Sequence, residues 1–331
     1  MMDVRSRGLS LAMFCTAAAL SLAACSSAPK VPEAVFETAN KAAGLSKLGD
    51  GFMAKRQYSA ALEYYRQARA ASSSVDDIGG VSAESSSEGR ALLALESFDE
   101  AQAAYEASQD YARMSGEATA LSRAQAGLGE VAFARGDIAS ALERFEEAVA
   151  AASTTGAGNK ALAVALHDRG VAEAASGKLA EAIADYRAAE ASNLKEKRWA
   201  ELGANRYALA SALAAEGKIA EALAQATAAL DADKRAESSR SIALDLAACA
   251  SLSAKAGKKS EAWDYWRRAF DSGMAVNDPK TGRKALAALI ALAPELGKDA
   301  EGARYATLLG KLDEAESKTP GDDEERRKHR P

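Results

Sequence analysis

The chain of 331 residues is poor in histidine (two), cysteine (three), proline (six) and aromatic residues (6%). Each scarcity excludes something. His167 and His329 are far apart in sequence and form no metal-ligand spacing, so a zinc site lacks its usual donors. Lys plus Arg (42) falls below Asp plus Glu (47), a net charge of −5. Without a basic excess there is little to neutralise phosphates, which speaks against a nucleic-acid partner. Catalytic signatures are also missing. No Gly-x-Ser-x-Gly occurs, and Gly257-Lys258 lacks the earlier glycine of a phosphate loop. Gly127-x-Gly129-x-x-Ala132 imitates a dinucleotide fingerprint, but that motif needs a preceding strand and here it lies within a helical pattern. The sequence therefore implies no enzyme, no cofactor and no bound metal. What is abundant is alanine, which fills much of the 48% hydrophobic share. That share is enough for a buried core, and alanine with few prolines favours helices.

Residues 1–24 read as a signal rather than as fold. Arg5 and Arg7 form a basic start, and Leu9 to Leu22 form an apolar run short of the roughly 20 residues of a membrane span. Leu22-Ala23-Ala24-Cys25 resembles the lipobox of bacterial lipoproteins, followed by polar Ser26-Ser27. The resemblance implies a diacylglycerol on Cys25, a linker over 25–33 and an envelope location. Ser26, rather than Asp, after the cysteine favours the periplasmic face of the outer membrane. Cys15 leaves with the signal and Cys25 is acylated. Cys249 then remains alone, and no intrachain disulfide can form.

The remainder is periodic. An alanine recurs at positions 61, 101, 141, 182, 222 and 262. Four residues after it stand Tyr65, Tyr105, Phe145, Tyr186, Ala226 and Trp266. Earlier in each unit a small residue recurs (Gly49, Gly89, Gly129, Gly170, Ala210, Ala250), and four units add a glycine at 136, 177, 217 or 257. Leu48-Gly49-x-x-Phe52, then Tyr58-x-x-Ala61-x-x-x-Tyr65-x-x-Ala68, resembles the tetratricopeptide repeat (TPR). The resemblance implies an all-α, right-handed TPR superhelix of six helix hairpins over 34–277. The small residues let backbones approach, the later glycines end each first helix, and the aromatic fills space against the next hairpin.

A period near 40 also falls in the HEAT and armadillo range, but the alanine–aromatic register favours the tetratricopeptide type. The extra residues over the common 34 either lengthen the helices or loosen the links. Residues 278–316 read as a degenerate capping hairpin, with Pro294 and Gly297 breaking it, and 317–331 as a disordered charged tail. Ser72 to Ser87 reads as a polar loop between the first two units.

By resemblance, function belongs on the concave groove lined by the first helices. The candidate partner-binding residues are Asp50, Met53, Arg90, Arg123, Glu130, Phe133, His167 and Tyr207. The larger and charged ones concentrate in the first three units, which points to docking in the N-terminal half. A mixed polar and aromatic groove suits an extended peptide or a partner helix. The Lys/Asn pattern of a carboxylate clamp is absent. The expected function is a lipid-anchored, non-enzymatic scaffold for envelope or periplasmic proteins, with membrane contact through the lipid. The alternative is an accessory lipoprotein of a solute transporter, paired with a periplasmic substrate-binding protein.

Overall fold

A computed structural model describes residues 33–154 and 160–318. The expected signal, the lipid site at Cys25 and the tail from 319 onward lie outside the described residues. Among the described residues there are fourteen α-helices and no strand. They are α1 (Glu33–Ala54), α2 (Tyr58–Ser74), α3 (Ile78–Ala94), α4 (Phe98–Ser115), α5 (Ala118–Ala134), α6 (Ile138–Ser153) and α7 (Lys160–Ala175). Then follow α8 (Leu179–Lys195), α9 (Trp199–Ala215), α10 (Ile219–Arg235), α11 (Ser239–Lys255), α12 (Lys259–Ala275), α13 (Pro279–Leu292) and α14 (Asp299–Lys318). Each helix packs on the next, in hairpins α1/α2 through α13/α14. The odd-numbered helices also touch one another along the array, α3 on α5 and α5 on α7 most closely. They form the inner layer and the even-numbered helices the outer one. The array is an all-α solenoid of helical hairpins.

The recurring alanines set the spacing of the layers. Ala61, Ala101, Ala141, Ala182, Ala222 and Ala262 are all fully buried. The ring four residues on is buried too. It sits on the glycine of its own hairpin and shares a core cluster with the following one: Tyr65 with Leu92, Phe145 with Ala165 and Tyr186 with Leu209. A Cβ on Gly49, Gly89, Gly129 or Gly170 would stand 2.6–2.8 Å from the ring of Tyr65, Tyr105, Phe145 or Tyr186. Tyr105 also presses on a glycine of the next inner helix, Gly127. The apparent dinucleotide motif is thus two ring seats on α5, Gly127 for Tyr105 and Gly129 for Phe145.

The long period goes into the helices. Most are 17 residues, joined by three-residue turns. Each turn among the described residues contains a left-handed residue. After the inner helices these are Arg56, Glu96, Gly136, Gly177, Gly217, Gly257 and Gly297; after the outer ones, Asp76, Gly116, Lys197, Glu237 and Asn277. The following N–H reaches back five residues, as in Gln57 to the Phe52 carbonyl (2.9 Å) and Lys218 to Leu213 (2.9 Å). This is the Schellman closure, which satisfies the terminal carbonyls of the helix.

One expectation needs correction. Ser72–Ser87 is not a loop, because α2 ends at Ser74 and α3 begins at Ile78. Ser72, Ser82, Ser85 and Ser86 are buried, and the hydroxyls of Ser82 and Ser108 each donate to the other's carbonyl (2.9 and 2.8 Å). The last hairpin departs from the regular pattern where the sequence placed the break: α13 starts with Asp278 accepting from Thr281 N (3.2 Å) and Pro279 in the first turn, and a 3-10 turn at Pro294–Leu296, closed by left-handed Gly297, precedes α14.

Candidate functional site

The inner layer carries two cavities in series. The first, about 280 Å³, lies between α3, α5 and α7, with Tyr105 of α4 at its base. Its charged lining is Arg90, Arg123, Glu130, Lys160 and Asp168. Arg90 is anchored: its Nη2 donates to Asp50 Oδ1 (2.7 Å) and to the Tyr65 hydroxyl (2.8 Å), which itself donates to Asp50 (2.7 Å). Burial and the Asp50 bond push the Tyr65 phenol up to about 12. Arg123 is exposed and forms no ion pair among the described residues. Lys160 pairs with Glu201 (2.9 Å).

The two carboxyls facing them are partly withdrawn from water. Burial pushes Glu130 up to about 7. Burial, then the charge of Glu130, raises Asp168 well above the usual carboxylate range. The charge of one disfavours ionisation of the other, because two carboxylates in one low-dielectric site repel. Arg90 is already held by Asp50 and Lys160 by Glu201, so Arg123 is the lining cation this cavity leaves for an acidic group.

The second cavity, about 570 Å³, lies between α7, α9 and α11. Its walls are largely apolar, with Val171, Leu179, Tyr186, Tyr207 and Leu244 among them. His167 sits at one side, its ring 5.6 Å from that of Tyr186. Burial lowers the imidazole's affinity for a proton, partly offset by Asn205. With its amide oriented to satisfy both ends, Asn205 donates to His167 Nδ1 (2.8 Å) and accepts from Asn193 Nδ2 (3.2 Å). His167 Nδ1 is therefore an acceptor and Nε2 carries the hydrogen.

The structure distributes the candidate residues over three settings. Arg90, Arg123 and Glu130 meet in the first cavity, with Asp50 behind Arg90. His167 and Tyr207 belong to the second. Met53 and Phe133 line neither. They are half-buried against the hydrophobic clusters around Tyr65 and Phe145, so they act as packing at the edge of the core. Sequence reasoning missed Tyr105, Lys160 and Asp168 in the first cavity and Asp233 and Asp245 in the second. The last two had a signal. Asp245 falls in a column reading Glu84, Ala124, Ala165, Asn205 in the preceding hairpins, and Asp233 in one reading Ser72, Ala112, Ala152, Asn193. A polar residue in a column of buried alanine marks a buried polar group.

Among the described residues no three His, Cys, Asp or Glu side chains converge to hold a metal ion, and no helix is long and apolar enough to cross a membrane.

No family model matches the chain, and no curated protein matches it. Solved structures do. A STAND-class signal transduction ATPase with a tetratricopeptide repeat sensor, PH0952 from Pyrococcus horikoshii, superposes with a TM-score of 0.67 at 13% identity, over 86% of this chain and 43% of that one. A Rap protein complexed with competence and sporulation factor gives 0.55 at 12%, over 77% and 75%. PilF of Pseudomonas aeruginosa gives 0.54 at 18%, over 72% and 92%. At these identities the likeness concerns fold, and with the hairpin register above it shows that the chain has the tetratricopeptide-type helical-repeat fold.

Proposed function

We propose that the chain is a non-catalytic scaffold, tethered to the bacterial envelope by lipid on Cys25. In this reading it docks an acidic segment of a protein partner in the N-terminal half of its groove. The observation that carries the docking site is the convergence of Arg90, Arg123 and Lys160 around two carboxyls that burial keeps partly protonated. Arginine is a favoured anchor at protein interfaces, and a fixed guanidinium loses little freedom on binding a carboxylate. The neighbour complexed with competence and sporulation factor supports the reading by precedent of fold. The tether rests on the lipobox sequence alone.

The docking test is site-specific photo-crosslinking in cells, with the probe at Arg123 or at exposed Glu146 on the outer layer. A defined adduct from Arg123 and none from Glu146 is expected. Adducts from Glu146 alone would place the partner on the convex face. The identity of the adduct also separates an envelope-assembly role from service to a solute transporter, since a periplasmic substrate-binding protein would signal the latter. The tether is tested separately with a fatty-acid analogue, which should label wild type and leave Cys25→Ala unlabelled.

A further inference from the structure

The second cavity contains a feature that peptide docking in the N-terminal half leaves unused. Asp233 of α10 and Asp245 of α11 are 2% and 1% exposed and face each other at the joint between two hairpins. The two carboxyls share a side-chain hydrogen bond, Asp245 donating to Asp233, and among the described residues no other group donates to Oδ2 of Asp245. Both residues line the 570 Å³ cavity. Space for Asp233 comes from Gly203, where a Cβ would stand 2.4 Å from its Oδ1. The cavity lining includes no lysine or arginine. The titratable groups around the pair are Tyr207 on α9, Cys249 on α11 and, across the cavity, His167 on α7 and Tyr186 on α8. On α12, Arg268 and Glu261 act on Cys249 instead. A buried acid pair with only this shared bond is costly unless something else donates to it. The surrounding walls are apolar and the volume is that of a small-ligand site.

We propose that this cavity binds an organic ammonium ligand, with an apolar body against Val171, Leu179, Tyr207 and Leu244 and a primary ammonium donating to Asp233 and Asp245. The ammonium supplies three donors to oxygens that lack them. Burial raises both carboxyls; the bond to Asp233 and its charge raise Asp245 further, to about 9, while that bond partly offsets the rise at Asp233. A cation at the site displaces the shared proton and lets both carboxyls ionise. The site is independent of the tether and of docking at Arg123.

The equivalent positions one hairpin earlier hold Asn193 and Asn205, which bond to each other. Amides therefore fit this joint, and D233N/D245N is expected to fold. The test is calorimetric titration of the full chain at pH 7.5 with phenethylammonium and with 2-phenylethanol, which share a body and differ in the head. The ammonium should bind at least about tenfold more tightly than the alcohol, and D233N/D245N should lose about the same factor. Equal binding of the two probes, no binding of the ammonium at millimolar concentration, or full affinity in the folded double variant would each overturn the proposal. Should the variant not fold, the comparison of the two probes on wild type decides. Acetyl-Ala-Lys-Ala-amide distinguishes sources of the same head: tighter binding than phenethylammonium assigns the site to a lysine-bearing peptide, weaker binding to a free amine.

Discussion

Gly129→Ala should destabilise the protein even though alanine is the better helix former. In a solvent-facing helix the change gains about 1 kcal/mol. At Gly129 the new Cβ would lie 2.6, 2.7 and 3.0 Å from Cε1, Cδ1 and Cζ of Phe145. Carbon atoms rest at about 3.5–4.0 Å, so the ring has to retreat by about 1 Å. Phe145 is 2% exposed, between Ala141 and Ala148, and has little room to do so. Overpacking of this kind costs about 1–3 kcal/mol. The net expectation is a loss of up to about 2 kcal/mol, against a gain at Gly51, where an added Cβ meets nothing within 4 Å. Urea denaturation followed by helical circular dichroism measures both. The decisive arm is Phe145→Ala, which costs about 3–5 kcal/mol by itself. On that background Gly129→Ala should turn from destabilising to neutral or stabilising, because the ring it collided with is gone. The fifth hairpin already has such a pair in Ala210 and Ala226, both buried. An equal cost of Gly129→Ala with and without Phe145 would refute the steric account.

Lys197→Gly should raise stability by about 0.5–1 kcal/mol, since Lys197 holds φ 53° and only glycine does so without strain; thermal unfolding checks it, and Gly257→Val should move the opposite way. Asp278→Ala should cost about 1 kcal/mol by removing the cap on Thr281 N and Oγ1. Asp278 is held below the usual carboxylate range, on balance by its bonds to Thr281, so its contribution is present above about pH 4 and fades as the pH falls. Asp245 has the opposite sign. Its folded-state value of about 9 lies above that of an unfolded aspartate, so its contribution is complete below about pH 4 and is lost as the pH rises toward 9. The melting temperature should therefore fall between pH 6 and pH 9.5 in wild type, and fall less in Asp245→Asn; identical slopes would count against a raised Asp245.

The parts of the fold carried by repetition were legible. The alanine ladder, the rings four residues later and the glycines at 136, 177, 217 and 257 each recur because one backbone geometry recurs. The turns after the outer helices were not legible. Their left-handed residues are mostly Asp76, Lys197, Glu237 and Asn277, which look like any polar surface. Ser72–Ser87 misled for a related reason. Serine signals a loop by composition, but buried serines can pair across helices, as Ser82 and Ser108 do. At the site, Arg90, Arg123 and Glu130 could be placed by register. Met53 and Phe133 shared that register, but as large apolar side chains they fold back onto the core instead of facing the cavity. Asp168, Asp233 and Asp245 were passed over because an acid on a helix ordinarily faces water.

The left-handed residues recur every twenty positions along most of the array, after inner and outer helices alike. The chain therefore turns the same way at each described corner, and its backbone does not mark which helix belongs inside. That distinction is written only in side chains: glycine seats on odd helices, rings on even ones. A deletion of one helix with its turn would leave a backbone that still closes every corner. Yet all helices beyond the cut would exchange layers, turning ring seats outward and the cavity residues into the convex wall. Growth or loss of such an array by single helices is thus self-defeating. The lengths open to it by duplication change in whole pairs, and any shortened variant made for study has to respect the same parity.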